Sequence, residues 1–225
     1  LRYYSNCQRF KTLMAQAKTD SIQEEFLPYE DLVVKLEKET GKNFTENPTL
    51  FQALFDLYKS QIALGLDLPE WAIPLLPKLS ATAKLAYKLY FRNHEMKKIG
   101  GGVLLNNFIN IAKEIASGSP VSHRLRIFSA HDFNLGALME VTRTIKDDSI
   151  PEYGSAFMLE LYKSRITGEF SILPIYLKQA GEVSETLKVE GCERYCELNK
   201  FQELTKDFVL PEHEFYQICG VKTEL

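Results

Sequence analysis

The feature that most constrains this chain is a change of hydrophobic period near residue 124. Before it, apolar residues recur at helical spacing. After it come short apolar runs bounded by turn residues. Gln8 to Lys18 and Ile22 to Thr40 are rich in helix formers, and Leu32, Val33 and Leu36 make a stripe on the second. Pro28 reads as a break or a first-turn residue and Gly41 as a C-terminal stop. Pro48 to Leu64 repeats the pattern with Leu50, Ala53, Leu54, Leu57 and Tyr58. A proline-rich connector over Leu66 to Pro77 surrounds Trp71, and a long helix is expected from about Leu79 to Lys98. Gly100-Gly101-Gly102 then marks a hinge or a close backbone approach. It lacks the lysine and spacing of a phosphate-binding P-loop. A further helix is expected over Val103 to Ser117.

From Arg124 the pattern changes. Leu125 to Ala130 reads as a short buried strand that stops at His131-Asp132, with a helix expected over Asn134 to Lys146. Phe157 to Lys163 and Phe170 to Lys178 read as a hairpin turning at Gly168, followed by one helix near Leu198 to Phe208 and a tail. Helices followed by mixed strand and helix predict an α/β protein with a mostly helical subdomain. The expected division is 1–99 for the helical part and 100–225 for the α/β part.

Charge excludes some functions. The formal net charge of -3 offers no basic surplus to nucleic acid or to acidic lipid. No apolar stretch approaches the ~20 residues that cross a bilayer. The chain begins at Leu1 with no charged and apolar leader pattern, so a processed or truncated chain is expected. Four cysteines, Cys7, Cys192, Cys196 and Cys219, allow three pairings, which an oxidising compartment would permit. The sequon Asn43-Phe44-Thr45 points to glycosylation at Asn43 in the same setting. His94, His123, His131 and His213 show no ligand spacing, so no metal or other cofactor is expected. Lys222-Thr223-Glu224-Leu225 resembles a retention tetrapeptide with Thr in place of an acidic residue, and export is the expectation.

Ser129-Ala130-His131-Asp132 is the informative site. A strand end followed by a helix start is where open α/β sheets place ligands. The helix N-terminus offers backbone N–H groups and a positive dipole end to an anion such as phosphate. A histidine there can donate to a phosphoryl oxygen. An adjacent aspartic acid can protonate a leaving alcohol if burial or bound negative charge raises its pKa. On residue types alone the favoured reading is Asp132 as an ordinary helix N-cap and His131 as a satisfied surface or core residue.

The same four residues, after the strand Arg126-Ile127-Phe128, resemble the second motif of the histidine acid phosphatases. Other segments match that family in order. They are Asn6 to Phe10, Leu68-Pro69-Glu70-Trp71-Ala72, Gly101 to Asn106, Pro151 to Ala156 with Leu159-Glu160-Leu161-Tyr162, and Gly191 to Leu198. The resemblance implies a partial phosphatase core sheet with flanking helices in 100–225 and a helical cap in 1–99. It implies disulfides Cys7–Cys219 and Cys192–Cys196. The family's third bridge falls at Lys59 and Ala156 and is absent, a loss of about 2–5 kcal/mol unless packing compensates.

The resemblance also implies a mechanism. A histidine in an upstream Arg-His-Gly-x-Arg motif attacks phosphorus, His131 binds phosphate, and Asp132 donates the proton. That upstream motif is nowhere in the chain. Arg2, Arg9, Arg92, Arg124 and Arg126 match no catalytic position of the family. Phe133-Asn134 stands where the family often has small hydroxyl residues. The implied substrate is a small phosphate monoester, and a homodimer is left open. Three readings follow: a secreted acid phosphatase of which this is part, an inactive secreted relative that binds a ligand or serves in venom, or a plain disulfide-bonded domain. Without partner strands, the segment ending at Ala130 is expected to expose apolar faces and to make the isolated chain poorly soluble.

Overall fold

In a computed structural model the described residues are 3–120, 123–145 and 149–220. They form two compact units, one of Lys11–Arg92 and one of Leu1–Phe10 with Asn93–Leu225.

The first unit is helical. Helix α1 (Tyr3–Asn6) precedes α2 (Gln8–Ser21), which leads the chain into this unit. A π turn over Ile22–Phe26 and a 3-10 turn over Leu27–Tyr29 follow, so the helix expected from Ile22 is regular only as α3 (Glu30–Thr40). Pro28 is the reason, because it has no N–H to donate and its ring crowds the preceding turn. Gly41 stops α3 at φ 67° and donates its N–H to the Glu37 carbonyl. Helices α4 (Thr49–Ala63) and α5 (Leu76–Lys88) complete the unit. Its core includes Leu32, Leu36, Leu79 and Ala83, with Phe51 stacked on Phe26 at 5.3 Å between ring centroids.

The single helix expected over Leu79 to Lys98 is two. α5 ends at Lys88, a 3-10 turn covers Leu89–Phe91, and α6 (His94–Ala116) starts afresh. The Asn93 side chain accepts from the Met96 N–H at 2.9 Å and caps α6, which fixes the new start.

In the second unit α6 runs unbroken through the three glycines, so they are a close approach and not a hinge. A Cβ on Gly101 would lie 2.5 Å from the Ala137 carbonyl oxygen in α7 (Asp132–Val141). One on Gly102 would lie 2.4 Å from the Phe208 carbonyl oxygen, beside the Leu210 N–H that donates to Gly102 at 3.3 Å. The expected helix from Asn134 to Lys146 is thus displaced, starting at Asp132 and ending at Val141.

The sheet is antiparallel. Strands β2 (Ala156–Lys163) and β3 (Phe170–Leu177) form the expected hairpin, in register from Ala156 opposite Leu177 to Lys163 opposite Phe170. Gly168, at φ 77°, lies in its loop. The short strands β4 (Glu185–Thr186) and β6 (Cys196–Glu197) also pair with β3, while β1 (Thr144–Ile145) pairs with β5 (Lys188–Val189). Leu105, Ile109 and Ala112 of α6 pack with Val141, Ile172, Val189 and Cys196, and with Leu198 and Phe201 of α8 (Leu198–Thr205). The segment read as a tail contains a further helix, α9 (Glu212–Cys219), whose first turn carries Glu212 and Glu214 at the favourable end of its dipole. Disulfides join Cys7 to Cys219 and Cys192 to Cys196.

The buried strand expected over Leu125 to Ala130 is not formed. Residues 125–130 have no regular secondary structure and no ladder partner among the described residues, and Leu125, Ile127 and Phe128 are 74%, 82% and 54% exposed. An apolar run becomes a strand only where another backbone pairs with it. Among the described residues no helix is long and apolar enough to cross a membrane.

The crossing at Gly101 is directly testable. Gly101→Val is expected to lower stability by about 1–3 kcal/mol through overpacking against the α7 backbone. An unchanged thermal midpoint would show that the two helices are not this close.

Candidate active site

Helix α7 begins where the exposed stretch ends. His131 is its N-cap, with extended backbone at φ -102° and ψ 162°. The His131 carbonyl accepts from the N–H groups of Asn134 and Leu135 at 2.9 and 3.2 Å. In return the Asn134 side-chain oxygen accepts from the His131 N–H at 3.2 Å. Asn134 is buried, so this reciprocal bond is sheltered from water. Asp132 is therefore not the cap. It is the first helical residue, where a carboxylate meets the positive end of the dipole. His131 is exposed and Asp132 half-buried, at the end of the helix where the dipole is positive.

An aromatic group braces this turn from a distant part of the chain. The Tyr3 hydroxyl donates to the Phe133 carbonyl at 3.4 Å, and the Tyr4 and Phe133 rings lie 5.3 Å apart. Tyr3 also meets Phe10 edge-on at 5.0 Å, and Gly100 leaves room for its ring. Phe133 stands out in the sequence because of its size. Tyr3 and Tyr4 do not, and the only signal for them is an aromatic pair just before Cys7.

The arginines fall in several places. Arg9 makes two hydrogen bonds to the Glu95 carboxylate, at 2.7 and 2.6 Å, and these hold Glu95 below the ordinary carboxylate range. The tie is present above the ordinary glutamate value and is lost only as pH falls through the lowered one, so it persists into mildly acidic solution. Arg92 pairs with Glu24 and Glu25 within the helical unit. Arg124 and Arg126 are exposed on the segment before α7, and Arg2 lies outside the described residues.

Asn43 is exposed in a turn, with its side-chain oxygen accepting from the Glu46 N–H at 2.8 Å. His94 stacks on Phe208 at 4.4 Å. Among the described residues no group of three or more His, Cys, Asp or Glu side chains is placed to hold a metal ion.

Comparison with known proteins places the chain beside the acid phosphatases. It is 28% identical over 193 residues to venom acid phosphatase Acph-1 of Apis mellifera, covering 84% of this chain and 48% of that protein. It is 27% identical over 206 residues to human prostatic acid phosphatase, covering 89% of this chain and 52% of that protein. No family model matches. Among solved structures, the phytase of Citrobacter braakii shares the fold with a TM-score of 0.51 at 15% identity, covering 78% of this chain and 51% of that one. The chain is thus similar to acid phosphatases along most of its length, and it spans about half the length of the curated relatives it matches.

Asn134→Ala removes the bond that closes the cap. It is expected to cost about 1–2 kcal/mol, read as a lower thermal midpoint with the far-ultraviolet helix signal retained at low temperature. A midpoint equal to that of the unaltered chain would remove Asn134 from the cap.

Proposed function

We propose that this chain belongs to a secreted acid phosphatase that hydrolyses small phosphate monoesters. In this reading His131 holds a phosphoryl oxygen. Asp132 protonates the leaving alcohol oxygen while an upstream histidine forms the phosphoryl-enzyme bond. The observation that carries the reading is the adjacency of an exposed imidazole and a half-buried carboxyl at a capped helix N-terminus. The imidazole and the positive end of the helix dipole complement anionic oxygens. Anionic phosphate beside Asp132 would raise its pKa and keep the proton available. The similarity to venom and prostatic acid phosphatases supports the reaction class and export. The paired cysteines and the exposed Asn43 sequon agree with passage through an oxidising compartment and with glycosylation there. A homodimer remains the assembly to look for.

One observation favours a second reading. None of the 225 residues forms an Arg-His-Gly motif. A polypeptide of these residues alone has no phosphoryl-accepting histidine from such a motif, and we expect it to bind phosphate without turning over.

The test compares two proteins on an aryl phosphate at acidic pH. One is this chain, and the other is the product of its complete coding sequence. Turnover is expected only in the second. Asp132→Asn there should lower kcat by about 10²–10⁴-fold, as loss of a general acid does, with a smaller effect on KM. Full activity in Asp132→Asn would remove the carboxyl from the mechanism. Inactivity of the complete product would favour the binding protein.

A further inference from the structure

We propose that the groove between α6 and α8 binds a polyhydroxylated ligand bearing one negative charge, a sugar acid or a sugar phosphate. None of its lining residues lies on α7, so it is a different site from the His131–Asp132 turn.

The groove has a volume of about 450 Å³ and is more open to solvent than enclosed. Its walls are built by one periodicity on two elements. Helix α6 contributes Asn106, Ile109, Asn110 and Lys113. Helix α8 and the turn after it contribute Asn199, Gln202, Glu203 and Lys206. Each set is spaced i, i+3, i+4, i+7, so each lies along a single helix face. This face pairs amides across a cleft floored by Ile109, which is buried, and edged by Val209.

The chemistry of that lining is selective. A carboxamide carries a donor and an acceptor at fixed separation and can serve both roles of a hydroxyl. Asn110 donates to Asn106 only at a long 3.4 Å. Among the described residues the side chains of Asn199, Gln202 and Lys113 make no hydrogen bond or ion pair. Lys206 is paired with Glu203 at 2.5 Å, which leaves Lys113 as the uncompensated charge. Unpaired amides and one spare ammonium together fit a polyol with a single anionic group.

The complete protein carrying Asp132→Asn, in which the proposed function leaves phosphate-monoester turnover too slow to interfere, is titrated by calorimetry with glucuronate, glucose 6-phosphate, glucose and inorganic phosphate. We expect at least one of the two charged sugars to bind at least tenfold more tightly than glucose or phosphate. That binding should weaken about tenfold in Lys113→Ala, weaken in Asn110→Ala, and persist in His131→Ala. The tighter of the two charged sugars distinguishes a carboxylate from a phosphate ligand. Lys113 and Asn110 are exposed, so unchanged melting temperatures serve as the fold control. Absence of charged-sugar binding, or binding that survives Lys113→Ala and disappears in His131→Ala, overturns the proposal.

Discussion

The second unit is organised by the approach of one helix backbone to its neighbours at Gly101 and Gly102. Close-packed interiors leave no room for even one added methyl where carbonyl oxygens already lie within 2.4–2.5 Å of the ideal Cβ position. Because α6 carries hydrogen on those two Cα atoms, α7 lies directly against it on one side. The Phe208–Leu210 segment lies against it on the other. Helix α7 is therefore held by backbone contact at Ala137, in its middle, downstream of the imidazole–carboxyl pair.

A second set of restraints acts on the turn that carries the pair. Asn134 locks the cap from within the helix, and Tyr3 grips the Phe133 carbonyl from outside it. Cys7, just after α1, is fastened to α9 by its disulfide. The residues around the turn are thus braced by contacts on the α7 side, while residues 125–130 before it have no ladder partner among the described residues. For a phosphate site this matters because a preorganised anion cradle costs little reorganisation when charge arrives.

Much of this was legible from residue pattern. The helices of the first unit, the Gly41 stop and the β2–β3 hairpin follow from spacing and turn chemistry. The choice between hinge and close approach at Gly100–Gly102 depended on which backbones come to meet them, which no local pattern encodes. The restart at α6 was readable in principle from Asn93 as a cap, but uninterrupted apolar spacing masked it. Helix α9 announced itself only by Pro211 followed by two glutamates. The apolar run of Leu125–Ala130 predicts a strand and, without partner strands, exposed apolar faces; the faces are exposed, and with no ladder partner among the described residues no strand forms. At the site, the His131–Asp132 pair and Phe133 were visible in the sequence. Tyr3 and Tyr4 were not, since they sit about 130 residues away and reach α7 only through the tertiary fold.

The bridge between Cys7 and Cys219 joins residues at a sequence separation of 212, with the whole of Lys11–Arg92 inserted between its ends. On a ribosome adding about 5–20 residues per second, the first thiol waits roughly 10–40 s for the second. In that interval Cys192 and Cys196 emerge, and both are competing partners for the waiting thiol. Their own four-residue separation makes mutual closure the faster event, since short contours close at the smallest entropic penalty. Correct maturation thus depends on the nearest-neighbour crosslink forming first and removing the wrong partners from circulation.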